Sequence, residues 1–300
     1  MNEITQYHWG VEEAVAQLRQ LRVQSLENRK RRNKPPKLPS RKELQSILEG
    51  LLAVLFPNRL GRPDLTEEGI DYFVGFTLDR VLHELFKQIR RELQFISGSE
   101  GIDEAAHQKA ILITRQFTAQ LPNVRALIDS DIQAAYEGDP AARTPDEVLV
   151  CYPGINAVIY HRLAHILYLQ GAPLVARMIA ELAHSATGID IHPGAQIAES
   201  FFIDHGTGVV IGETAIIGKR VRLYQAVTLG AKRFQKDDNG VLIKGNLRHP
   251  LVEDDVVIYA GATILGRVTI GNGSVIGGNV WLTHSVPACS VITQASERTE

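Results

Sequence analysis

Three hundred residues, 44% hydrophobic and 22% charged, describe an ordinary globular chain with room for about two domains. A net charge of −2 gives no overall field favouring nucleic acid or membrane, and no apolar run is long enough to span a bilayer. The start, from Met1 to Gln6, lacks the basic end and apolar segment of a secretory signal; Cys151 and Cys289 lie far apart without metal-ligand spacing, so reduced thiols in a cytoplasmic protein are expected.

The first 187 residues read as helical. Residues 11–26 suit a first helix. A basic run with prolines follows, from Arg29 to Lys37. It reads as a solvated linker, with a patch for an anionic partner as the alternative. Ser40 and Glu43 have capping-box spacing and open a helix that ends near Phe56-Pro57-Asn58. Residues 67–95 carry Leu78, Val81, Leu82, Leu85, Phe86, Ile89 and Leu93 on one stripe, which reads as helix packing, and Gly98-Ser99 breaks it. Two helices are expected over 104–120 and 124–136, separated by Pro122. Gly138-Asp139-Pro140 ends the second. Thr144 and Glu147 repeat the capping spacing, with Pro145 at the first helical position. Tyr152-Pro153-Gly154 reads as a turn before a helix over 155–169, and a last helix runs to about 185.

After Gly188 the period changes. From Val252 every sixth residue is aliphatic: Ile258, Ile264, Ile270, Ile276, Leu282. From Ile191 the same frame holds Ile197, Ile203 and Val209, slips by two, and continues through Ile211, Ile217, Leu223 and Leu229. Four residues after most of these stands a small or β-branched residue, such as Ala195, Thr207, Ala215 or Ala262. A period of six fits a β-helix, whose coils bury one another's faces. The expected fold is therefore α+β: a helical N-terminal part followed by a parallel β-helix of hexapeptide repeats. The divisions are 1–45 (helical and basic extension), 46–187 (helical domain), 188–290 (β-helix, with a loop over 230–251) and 291–300 (tail). The loop interrupts the hexads and must leave the prism.

An aliphatic interior leaves chemistry to turns and loops. Three clusters break the pattern there: Asp190-Ile191-His192-Pro193, Asp204-His205-Gly206-Thr207-Gly208, and Arg248-His249-Pro250. A histidine beside a carboxylate suits general base work. Asp190 and His205 can lie near each other on adjacent coils; the alternative is a turn cap and a polar turn residue.

These clusters, with Gly212-Glu213-Thr214-Ala215, Gln225-Ala226-Val227-Thr228-Leu229-Gly230, Asp131-Ile132-Gln133-Ala134 and Asp139-Pro140-Ala141, resemble serine O-acetyltransferase over about residues 125–290. The resemblance implies a left-handed prism, assembled as a trimer or as trimers paired through the helical heads. It implies transfer of acetyl from acetyl-CoA to L-serine, in cysteine biosynthesis, with the site between neighbouring subunits. His205 then matches the general base and Asp190 its partner. Asp139, Asp204, Arg248 and His249 match the serine-binding set, with His249 also at the oxyanion. Acetyl-CoA is expected along coil edges near Gly230, Ala231, Ala260, Gly261 and Gly278. L-Cysteine is an expected feedback inhibitor, and no metal is implied. The loop is longer and more charged than in many members. The tail, Ser296 to Glu300, lacks the terminal isoleucine used to dock into O-acetylserine sulfhydrylase, so that complex is not expected. Rival readings are a homoserine or sugar O-acetyltransferase, a zinc enzyme of the carbonic anhydrase type using His205, His249 and His284, and a non-catalytic scaffold. With neither cysteine in a site motif, direct transfer without an acyl-enzyme is expected.

Overall fold

A computed structural model describes residues 9–28, 37–98, 103–233, 237, 240–243 and 245–294. The basic run before Lys37, six residues of the loop and the tail from 295 lie outside these. The helical part comprises α1 (Val11–Asn28), α2 (Arg41–Leu55), a short π-helix (Pro57–Gly61), α3 (Glu67–Ser97), α4 (Glu104–Gly138), α5 (Pro145–Cys151), α6 (Pro153–Leu169) and α7 (Pro173–Thr187). The domain boundary expected at 45 thus falls inside α2.

The capping signals act, with one change of partner. Ser40 Oγ accepts from Glu43 N, but Ser40 N–H donates to Gln88 of α3 rather than to Glu43. Thr144 caps α5 as expected. Val81, Leu85, Ile89 and Leu93 of α3 are buried, and Leu78, Leu82 and Phe86 flank them. Helix α7 begins after Ala172, which cannot cap. The buried Glu92 carboxylate reaches over from α3 and accepts from Leu174 N (2.7 Å) and Val175 N (2.8 Å).

The expected break at Pro122 is absent: α4 runs through it unbroken. Proline costs one backbone hydrogen bond and some crowding. Phe117, Leu121, Val124 and Ile128, buried on both sides of it, keep one face of the helix in the core and offset that cost. Pro153 likewise belongs to α6 as its first residue, where the missing N–H is harmless.

The hexads fold as three parallel sheets. Face 1 holds β1 (Asp190–Ile191), β4 (Val210–Ile211), β7 (Thr228–Gly230), β10 (Thr263–Leu265) and β13 (Trp281–Leu282). Face 2 holds β2 (Gln196–Ile197), β5 (Ile216–Ile217), β8 (Leu251–Val252) and β11 (Thr269–Ile270). Face 3 holds β3 (Phe202–Ile203), β6 (Arg222–Leu223), β9 (Val257–Ile258), β12 (Val275–Ile276) and β14 (Val291–Ile292). The architecture is the expected helical domain followed by a left-handed parallel β-helix. Its last strand, β14, lies beyond the boundary expected at 290.

The period-six aliphatics point inward: Ile191, Ile211, Leu229, Ile264 and Leu282 stack down face 1 and are buried. Val209 departs from the expected frame. The insertion at Asp204 to Gly208 moves the edge position by two, so Val209 fills the edge and Thr207 is turned out to solvent. Val210 pairs with Thr228, and Thr228 with Thr263 across the loop, so the loop leaves without disturbing the register.

A buried ion pair locks helices to prism. Arg162 of α6 holds both oxygens of Asp131 of α4 (2.6 and 2.8 Å) and donates to Ile197 O and Ala198 O, while Asp131 accepts from Phe201 N. Gly154 permits the close approach: a Cβ there would lie 2.2 Å from Ile203 O. This junction sets the end of α4, with Asp139, over the edge where His205 stands.

Candidate active site

Successive faces meet at three edges, and the residues singled out above occupy two of them. The edge between faces 3 and 1 carries Asp204 and His205. His205 has φ +58°, and Gly206 and Gly208 also lie in the left-handed region. A Cβ at Gly206 would come 2.4 Å from Ile189 Cδ1, so only glycine lets this turn close over the core. The tight turn lifts the imidazole off the prism, leaving its side chain 69% exposed, with Nδ1 3.8 Å from Asp204 Oδ1.

Asp139, the C-cap of α4, faces the same edge. Its carboxylate accepts from Tyr152 Oη (2.5 Å) and Ala141 N (2.9 Å). The Tyr152 hydroxyl, the Ala141 amide and the nearby charges of Arg222 and His205 hold Asp139 below the usual carboxylate range. Its hydrogen bond to Asp139 in turn pushes the Tyr152 phenol up to about 12. Asp190 opens β1 at this edge, one coil before His205: Gly208 N–H donates to Gly188 O and Asp190 N–H to Val209 O. Among the described residues, however, the charged group beside the His205 ring is Asp204, and no hydrogen bond or ion pair joins it to Asp190. Asp190 instead clusters with Glu181 and His184 of α7.

The edge between faces 1 and 2 carries the second group. His249 is buried, and its Nδ1 faces two donors, Thr214 N (3.0 Å) and Thr214 Oγ1 (2.9 Å). An imidazole whose Nδ1 accepts carries its proton on Nε2. Burial, then the neighbouring Arg248, push this histidine down to about 4, so it is a neutral Nε2–H donor at pH 7. Gly212 makes room for it: a Cβ would lie 2.0 Å from His249 Cδ2. Thr214 Oγ1 also accepts from Arg248 N and His249 N, which ties the loop's end to the prism.

Arg248 pairs with Glu213 (2.5 Å), whose other oxygen accepts from Tyr168 of α6 (2.9 Å). Burial opposes ionisation of Glu213, but Arg248 and Tyr168 more than offset it and hold the carboxyl below its usual range. A cleft of about 660 Å³ opens beside Arg248, lined by Glu213, Lys232, Arg233, Leu265 and Arg267 among others.

The structure thus gathers Asp139, Asp204 and His205 at one edge and Arg248 and His249 at another. The five small residues divide in the same way. Gly230 and Ala231 start the loop at the second edge, while Ala260, Gly261 and Gly278 continue the first edge below His205. Within one chain His205, His249 and His284 do not converge, because His205 stands at the first edge while His249 and His284 lie at the second; the one cluster of metal-ligand type among the described residues is Glu181, His184 and Asp190. Sequence reasoning missed Arg222, Tyr152, Thr214 and Tyr168 as site residues. An arginine facing outward one coil after Phe202, and a tyrosine just before Pro153, were the available signals.

The hexapeptide family described as "Bacterial transferase hexapeptide (six repeats)" matches residues 249–284. The chain is 56% identical over 296 residues to "Serine acetyltransferase, plasmid" of Synechococcus elongatus, covering 97% of this chain and 93% of that protein. It is 51% identical over 162 residues to the serine acetyltransferase of Mycobacterium tuberculosis, covering 54% of this chain and 67% of that one. Among solved structures it is similar to Entamoeba histolytica serine acetyltransferase isoform 3 in complex with cysteine, with TM-score 0.71, 38% identity, and 87% and 83% of the two chains covered. With this likeness over nearly its whole length, the chain belongs to the serine acetyltransferase family.

Proposed function

We propose that this serine acetyltransferase moves acetyl from acetyl-CoA to the L-serine hydroxyl directly, in a site completed by a second copy of the chain. The observation that carries the reading is the division of labour between the two edges. One bears an exposed imidazole among carboxylates; the other bears a guanidinium and a neutral imidazole with a free Nε2–H. A zwitterionic substrate and an oxyanion need both sets, and one prism holds them on different edges. Three prisms around a threefold axis bring the first edge of each against the second edge of its neighbour, which makes a trimer, or a pair of trimers, the natural assembly.

In this site Asp139 and Asp204 receive the serine ammonium, and Arg248 receives the carboxylate. His205 takes the hydroxyl proton as serine Oγ attacks the thioester carbon. Asp204, 3.8 Å from Nδ1, is the carboxylate beside the imidazolium that forms; Asp190, given that role by the family resemblance, stands one coil before without a hydrogen bond or ion pair to the ring. His249 Nε2–H donates to the oxyanion of the tetrahedral intermediate. Collapse breaks the carbon–sulfur bond, and the leaving CoA sulfur takes the proton back from imidazolium. The products are O-acetyl-L-serine and CoA, and no covalent acyl-enzyme forms. Gly230 and Ala231 of one copy and Ala260, Gly261 and Gly278 of the next offer two small-residue walls for the pantetheine arm. Lys232, Arg233 and Arg267 offer charge for the CoA phosphates. L-Cysteine differs from L-serine in one atom and fits the same ammonium and carboxylate groups, so it competes at this pocket. No helix among the described residues is long and apolar enough to cross a membrane, and a cytoplasmic enzyme is the reading we adopt.

The test is CoA thiol release from acetyl-CoA with L-serine, homoserine and a galactoside. Release with serine alone, inhibited by free cysteine, is the expected result. Preference for another acceptor would overturn the substrate assignment. Acetylated protein trapped after acetyl-CoA alone would overturn direct transfer.

A further inference from the structure

Arg222 of β6 lies under the acidic edge, and neither the hexads nor the steps above use it. Its register opposite Phe202 puts it one coil below Asp204. Nη2 donates to Asp204 Oδ2 (2.8 Å), and Nη1 donates to Gly138 O (2.6 Å), the residue immediately before Asp139. The guanidinium lies between two rings, 4.9 Å from the centroid of Phe202 and 4.7 Å from that of Tyr224. Nε is buried without a partner, so the two Nη groups carry the polar contacts of this side chain. Gly138 is what allows the approach: a Cβ there would stand 3.0 Å from Phe202 Cδ1 and 3.5 Å from Arg222 Nη1.

We propose that Arg222 is a positioning residue of the serine pocket, clamping the Asp204 carboxylate and the Gly138–Asp139 turn together so that the two acids face the substrate ammonium as one unit. The inference rests on the assignment of Asp139 and Asp204 to that ammonium. Helices are already held to the prism by the buried pair of Asp131 and Arg162, which contacts Ile197, Ala198 and Phe201 away from the acidic edge. What Arg222 adds is specific to the acids. It occupies Oδ2 of Asp204, leaving Oδ1 toward His205. It also adds one positive charge to an edge where Asp204, Asp139 and Asp190 surround the His205 position. Lysine keeps the charge but cannot fork to two acceptors or stack as a plane.

The test compares steady-state kinetics of Arg222→Met and Arg222→Lys with the unaltered enzyme, in parallel with Asp139→Asn and Asp204→Asn. Arg222→Met is expected to raise KM for serine about tenfold or more, the scale of a lost charged hydrogen bond, with KM for acetyl-CoA within about twofold. Its kcat at saturating serine should fall less than kcat/KM, because the lost contact positions the acids that bind serine rather than the reacting atoms. Arg222→Lys should raise serine KM only a few-fold; it carries the test if the Met variant does not fold. Serine KM within about twofold of the parent in the folded Arg222 variants, or equal rises for both substrates, would overturn the role of Arg222 alone when the Asp variants still weaken serine. Unchanged serine KM in Asp139→Asn and Asp204→Asn would overturn the pocket assignment, and the clamp with it.

Discussion

Each of the two site-bearing edges supplies one histidine to the proposed chemistry, and the surroundings of the two are opposite. His205 stands on a left-handed turn, exposed, with a carboxylate 3.8 Å from Nδ1. His249 is buried beside an arginine, with Nδ1 taken by Thr214. The first setting suits a group that must gain and lose a proton. The second suits one that must never charge and only donate. The same side chain is thus given two tasks by burial and by which ring nitrogen is occupied.

That contrast sets the order of expected effects. His205→Ala should lower kcat by about 10²–10⁴-fold, the usual worth of a general base, with the oligomer unchanged by size-exclusion chromatography. His249→Asn should cost about 10²–10³-fold in kcat, the scale of a lost oxyanion donor. Thr214→Val keeps the backbone donor to Nδ1 but removes the hydroxyl there and the acceptor of Arg248 N and His249 N, and about tenfold or more in kcat is expected from these lost hydrogen bonds. Tyr152→Phe frees one oxygen of Asp139 and should raise serine KM a few-fold while leaving acetyl-CoA KM alone.

The pH dependence of stability separates the edges further. His249 is held down to about 4 in the folded chain, below the ordinary histidine value of 6.5. Between those values the unfolded chain takes up a proton that the folded chain refuses, so stability present above pH 6.5 is lost as pH falls toward 4. Unfolding free energies from denaturant titrations at pH 7 and pH 5 should differ by on the order of 1–2 kcal/mol more in the parent than in His249→Asn. Equal pH sensitivity in the two proteins would mean that His249 is not held neutral by its burial.

Much of the scaffold could be read from residues alone, because a period of six has one structural solution and each aliphatic carries the same message. The faults in that period marked the candidate site: the two-residue slip became the His205 turn, and the missing hexads became the loop that ends at Arg248 and His249. Pro122 misled because a local rule about one hydrogen bond was outweighed by apolar residues buried on both sides of it. Val209 misled because an aliphatic in frame could fill either a face or an edge. Arg222 and Tyr152 were not legible, since their meaning depends on α4 ending over the prism, a contact fixed by Asp131 and Arg162 far along the chain. The tautomer of His249 depends on Thr214, 35 residues earlier, and no spacing reveals it.

The central claim is that base and oxyanion donor in one site come from different copies. Co-expressing His205→Ala and His249→Asn chains tests it directly. In randomly mixed trimers roughly a quarter of the sites would unite an intact His205 with an intact His249 from the neighbour, so thiol release should return to about a quarter of the parent rate. Mixed oligomers no more active than either inactive variant alone would contradict it.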